Sequence, residues 1–197
     1  MFASAGHVQA IGTRPERVRD AWGCLAAVGG FALLTALLAR VALPVPGTAV
    51  PLTLQTVAVL LSGVALGGRL GGASQALYVV AGIAGLPVFA PVGAGVTVTG
   101  GYLVGFVAAA WVVGAVYRRL GRSLVALAAA CVAGQTIIFI LGAGWLCLLA
   151  GGNVDLAIRQ GVWPFFLGDG LKVLVTVAAV RAARSSRAIL DYARKAK

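Results

Sequence analysis

The chain has 197 residues and a mean hydropathy of +0.99; 60% of its residues are hydrophobic and only 11% are charged. So little charge excludes a soluble domain of this length, and the long apolar runs are those of helices solvated by lipid. The formal net charge is +11, but the basic residues cluster between apolar runs and at the termini, as membrane orientation requires, which argues against a nucleic-acid partner.

In chain order, residues 1–21 read as a polar cytoplasmic tail holding the single histidine, His7. They lack the apolar core and small-residue cleavage site of a secretory signal. Six spans are predicted next, an all-α membrane domain over 22–185, and then a basic cytoplasmic tail over 186–197. Span 1 (22–43) has Trp22 as an inner-interface anchor and Arg40 near its outer end, where a long side chain snorkels. Span 2 (52–66) opens with "PLTLQT"; Pro51 stands where a helix begins and its missing N–H costs nothing. Span 3 (71–90) follows the turn "LGGRLGG", which lacks the GK[ST] ending and the preceding strand of a phosphate loop. Span 4 (101–118) opens with "TVTGGYLVGF". Span 5 (124–150) contains Gly142 and Gly144, which predict a kink or an early end, and carries Trp145. Span 6 (163–183) opens with "WPFFLGDGLK". Cys24, Cys131 and Cys147 lie in apolar runs without CxxC spacing, so they read as small buried hydrophobes and no metal site is expected.

Thirteen of the sixteen Lys and Arg residues fall on the side of the N-terminus: Arg14, Arg17, Arg19, Arg69, Arg118, Arg119, Arg122, Arg181, Arg184, Arg187, Arg194, Lys195 and Lys197. The opposite loops hold only Arg159. The positive-inside rule therefore predicts both termini in the cytoplasm. Spans 2, 4 and 6 then enter from outside, and their opening turns bring Thr53, Gln55, Thr56, Thr97, Thr99, Tyr102 and the Asp169–Lys172 pair to the outer half of the bundle. A glutamine one turn inside an apolar helix needs a partner. Measured from Pro164, Asp169 lies about 8 Å into span 6 and Lys172 about 12 Å. Ionised residues at such depth usually face a wet cavity and are functional. The residues alone leave three readings open: an outward-facing small-molecule site, an ion- or proton-coupled carrier, and a structural ion pair that locks span 6. Ala32 and Ala36, Gly63 and Gly67, and Gly101 and Gly105 are small-xxx-small pairs that let helices pack closely or dock a membrane partner.

The run from "PLTLQT" through "ALGGRLGGASQALYVVAGIAGLPVFA", then "TGGYLVGF", "GAGWL" and "FLGDGLK", resembles the BioY family in content, order and spacing over about residues 22–185. BioY proteins are the biotin-binding S components of energy-coupling factor transporters. The resemblance implies a six-helix bundle in the bacterial inner membrane that captures biotin from outside, with no cofactor and no enzymatic activity. It carries the substrate site over to Asp169, Lys172, Gln55, Thr56, Gly100, Gly101 and Tyr102, and Trp145 is added as an aromatic neighbour. It also implies a transmembrane scaffold subunit and two ATPase subunits as partners, docked at Ala32 and Ala36. A homo-oligomer working without that module is the alternative.

Overall fold

A computed structural model of the chain describes residues 15–195 apart from positions 94 and 122, and side chains within 21–186. His7, Arg14, Arg122 and Lys197 lie outside the described residues, as do the side chains of Arg17, Arg19, Arg187, Arg194 and Lys195. The described residues form seven helices and one short hairpin.

Helix α1 (Pro15–Ala39) begins with proline at its first position, where no N–H is needed. It therefore takes in residues expected in the tail, and it ends four residues earlier than span 1. The chain then turns at Arg40 into β1 (Ala42–Leu43), which pairs antiparallel with β2 (Leu52–Thr53), Ala42 opposite Thr53 and Leu43 opposite Leu52. Pro44, Pro46 and Pro51 disfavour helical conformation at the residues before them, so this stretch is extended. The expected helical ends at 40–43 and 52–54 are thus a hairpin.

Helix α2 (Gln55–Leu66) meets α3 (Gly68–Ile83) at the single residue Gly67, whose φ of 78° is open to glycine at no steric cost. A Cβ at Gly114 would strike the backbone of Gly67 and Gly68, so this corner packs backbone to backbone on α4 (Val96–Arg119). α3 stops at Ile83 rather than 90, and the following residues have no regular structure. Helix α5 (Leu124–Leu149) is capped by the Ser123 hydroxyl and runs unbroken through Gly142 and Gly144, against expectation. The Tyr102 ring lies where a Cβ of Gly142 would be, so that glycine serves packing and not a break. The last two helices, α6 (Val154–Gly161) and α7 (Phe166–Lys195), are bent by 50° around residues 162–165.

Among the described residues three helices are long and apolar enough to cross a membrane, 21–39 of α1, α4 and α5, and the bent α6–α7 pair adds a fourth when counted as one span. Helix α2, with 12 residues, reaches only about 18 Å against a hydrocarbon core of about 30 Å. Exposed Leu25, Leu33, Leu37, Ile140, Leu148, Leu167, Leu171 and Leu174 give the bundle an apolar outer surface, as a multi-pass membrane protein requires. The N-terminal turns of α2, α4 and α7 gather at one end of the bundle, while Arg69, Arg118 and Arg119 share a surface at the other.

Inside, a buried polar network joins the first three helices. The Thr35 hydroxyl donates to Gln75 Oε1 at 3.2 Å, and Gln75 Nε2 donates to the hydroxyls of Ser62 and Ser74, each at 3.2 Å. All four side chains are fully buried. Ala32, Thr35, Ala36 and Ala39 share one face of α1, and this face is turned inward. Ala32 belongs to the core around Tyr78 and Phe106, and Ala36 packs against it. The open face of α1 presents Leu25, Leu33 and Leu37 instead.

Candidate functional site

At the end away from Arg69, Arg118 and Arg119, the bundle opens into a cleft with about 590 Å³ of empty space, part of it open to the exterior. Its walls are apolar and aromatic: Tyr78, Phe89, Tyr102, Phe106, Ile138, Phe139 and Phe165. Polar groups enter from Thr53, Gln55, Thr56 and Thr99, and from Asp169 and Lys172. A greasy wall with a few convergent polar groups is the usual make-up of a small-molecule site.

The charge pair sits on the first turns of α7. The helix starts after Pro164, and the Asp169 N–H donates to the Phe165 carbonyl at 2.7 Å, which closes the first turn of α7 at Asp169. Lys172 Nζ donates to Asp169 Oδ1 at 2.5 Å, an (i, i+3) contact along one helix face. Asp169 and Lys172 are only 5% and 6% exposed, so each charge needs the other. The second carboxylate oxygen is held from α5, where Gln135 Nε2 donates to Asp169 Oδ2 at 2.7 Å. Both oxygens thus have a donor, and among the described residues two of the three ammonium hydrogens of Lys172 remain for other acceptors.

Gln55 has the partner its position calls for. Its Nε2 donates to the Tyr78 hydroxyl at 2.5 Å, and its Oε1 accepts from Thr53 at 3.0 Å. Tyr78 in turn donates to the Val88 carbonyl at 3.3 Å and meets Phe89 edge to face, with ring centroids 5.5 Å apart. The Arg40 guanidinium donates to the Pro87 carbonyl. The irregular segment after α3 is therefore tied down at the cleft, which explains why these residues are not part of a helix. Thr56 Oγ1 is buried, lines the cleft and has no hydrogen-bond partner among the described residues. Among those residues no group of three His, Cys, Asp or Glu is spaced to hold a metal ion.

Of the residues singled out from the sequence, the structure brings Asp169, Lys172, Gln55, Thr56 and Tyr102 into this one cleft. Gly100, Gly101 and Trp145 do not line it. They form the contact between α4 and α5: a Cβ at Gly101 would strike Trp145 Cβ and the Leu141 carbonyl, and Trp145 Nε1 donates to the Thr97 carbonyl at 2.8 Å. Tyr102 contributes its ring to the cleft, while its hydroxyl donates to the Gly161 carbonyl of α6 at 2.7 Å. Gln135 and the four phenylalanines escaped the sequence reading. The signal for Gln135 was present, since an amide in the middle of "VAGQTIIF" demands a partner as Gln55 does.

Comparison with known proteins agrees with this architecture. A biotin transporter BioY of Rhodobacter capsulatus is 36% identical over 170 residues, spanning 78% of this chain and 89% of that one. One from Thermotoga maritima is 38% identical over 135 residues, 66% of this chain and 79% of its own. A probable biotin transporter BioY of Pyrococcus horikoshii is 36% identical over 132 residues, 65% and 76% of the two chains. The fold is shared with a crystal structure of the S-component for biotin from an ECF-type ABC transporter. That match has a TM-score of 0.75 at 21% identity, covering 85% of this chain and 93% of that one. The model of the BioY family matches residues 11–188, nearly the whole chain, which therefore belongs to the BioY family.

Proposed function

We propose that this protein takes up biotin, capturing it in the cleft from outside the cell and delivering it across the bacterial inner membrane. The observation that carries the reading is the cleft floor. A buried Asp169–Lys172 pair with spare ammonium donors and Thr56, whose buried hydroxyl has no partner among the described residues, line an aromatic cavity, in a member of the BioY family. Biotin is a rigid bicycle with two ureido N–H donors and a carbonyl, an apolar thioether ring and a carboxylate tail. In the proposed pose the head group lies deepest. Asp169 accepts from a ureido N–H, Lys172 donates to the ureido oxygen, and the aromatic walls hold the thioether ring.

The proposed topology is six crossings with both termini in the cytoplasm, α6 and α7 together making the sixth. Supporting it, the arginines Arg69, Arg118 and Arg119 lie opposite the cleft, as a cytoplasmic face requires. The chain itself catalyses nothing in this reading; a transmembrane scaffold and two ATPase subunits supply the energy. Their docking surface on α1 includes Leu25, Leu33 and Leu37 as well as the edge of Ala36, since Ala32 is inside.

Equilibrium binding of labelled biotin to the purified protein in detergent tests the reading. Saturable binding is expected; a folded protein that binds none at micromolar biotin refutes it.

A further inference from the structure

Gln135 is 6% exposed, in the middle of α5, and does not line the cleft. It lines a separate apolar groove on the outside of the bundle between α5 and α7, together with Val132, Phe166, Leu167 and Leu171. Phe139, one turn further along α5, lines both the groove and the cleft. Phe139 therefore separates the cleft from the groove, and Gln135 lies one turn away on the groove side. From the groove side Gln135 reaches Asp169, which lines the cleft.

A carboxylate only accepts hydrogen bonds, so the amide must turn its Nε2 to Asp169 Oδ2, and the 2.7 Å bond fixes that choice. The remaining Gln135 Oε1 is buried without a partner among the described residues. An amide that leaves its own acceptor unsatisfied in a lipid-surrounded bundle is held there by the carboxylate, and it holds the carboxylate in return. Among the described residues Asp169 has one other side-chain partner, Lys172 on Oδ1. The two donors approach different oxygens and so set the rotation of the carboxylate plane.

We infer that Gln135 is a positioning residue for ligand recognition: it anchors Asp169 Oδ2 from behind, so that the other face of the carboxylate is presented to the cleft. The inference rests on the biotin reading above. It adds a residue outside the cleft that decides affinity by orienting one inside it, and the amide's hydrogen-bond donor is the chemistry required at that position.

The test compares biotin binding by wild type, Q135L and Q135E, purified in detergent, between pH 5 and pH 9, with ligand-free melting curves for each. The titratable groups lining the cleft are Asp169 and Lys172 on α7, Tyr102 on α4 and Tyr78 on α3. Q135L is expected to bind about tenfold more weakly than wild type or worse at every pH, because Oδ2 loses its donor. Q135E places two carboxylates beside one ammonium, and like charges this close favour uptake of a proton. Its affinity relative to wild type should be poor at high pH and recover as the pH falls, once the shared proton restores a donor to Asp169. A purely structural residue would lower the melting temperature without giving the Q135E variant such a profile. Absence of wild-type binding overturns this inference and the biotin reading together. Wild-type binding with a folded Q135L that binds within twofold overturns the positioning role alone. So does a Q135E affinity that runs parallel to wild type across the pH range, which also decides the matter if Q135L fails to fold.

Discussion

Replacing Lys172 with methionine keeps most of the side-chain volume but removes the ammonium 2.5 Å from Asp169 Oδ1. Asp169 is 5% exposed and then retains Gln135 as its side-chain partner. Breaking a buried ion pair by removing one member costs about 3–5 kcal/mol, because the other charge stays buried without compensation. Binding is expected to weaken by about 2 kcal/mol, roughly thirtyfold in Kd, through the loss of the ammonium donor. Asp169→Asn strands Lys172 in the same way and should give losses of similar size. The double variant D169N/K172M separates the two effects. Replacing both charges by neutral groups is often close to neutral for stability, so its melting temperature should return toward wild type while biotin binding stays weak. The assays are thermal unfolding followed through tryptophan fluorescence and equilibrium binding of labelled biotin, on all four proteins. If the double variant regained affinity along with stability, the pair would be a structural lock between helices and the proposed contact with the ligand would be wrong.

Thr56→Val should leave ligand-free stability unchanged or slightly higher, because Thr56 Oγ1 is buried and unpartnered among the described residues. The same variant should weaken biotin binding by about 1 kcal/mol, measured by the same titration. Gly101→Ala introduces a Cβ into Trp145 and the Leu141 carbonyl and should destabilise the α4–α5 contact by about 1–3 kcal/mol. Melting curves with and without biotin would read that loss. Ala32→Leu should lower stability through overpacking by a similar amount, since Ala32 is in the core; unchanged melting would return this residue to the outer surface.

The membrane class and the gathering of polar residues at the openings of spans 2, 4 and 6 were legible in the amino-acid sequence. Composition decides solvation by lipid, and a charge or an amide inside an apolar run is conspicuous wherever it occurs. "FLGDGLK" marked Asp169 and Lys172, and "PLTLQT" marked Gln55 and Thr56; all four line the cleft. The hairpin at 42–53 was missed because its apolar residues continue the hydropathy of the neighbouring helices, and only the prolines announced it.

Which way each helix faces was a matter for the tertiary structure. In a soluble helix the polar face marks the outside, but in lipid both faces are apolar, so periodicity carries little information about burial. The sequence marks Ala32 as a docking residue, and only the packing shows that it lies in the core. The sequence likewise marks Trp145 and Gly101 as site residues, and only the packing shows that they meet each other across α4 and α5. The bond between Gln135 and Asp169 joins residues 34 apart in the chain. Sequence could say that each needed a partner, and only the packing of α5 on α7 made them partners of one another.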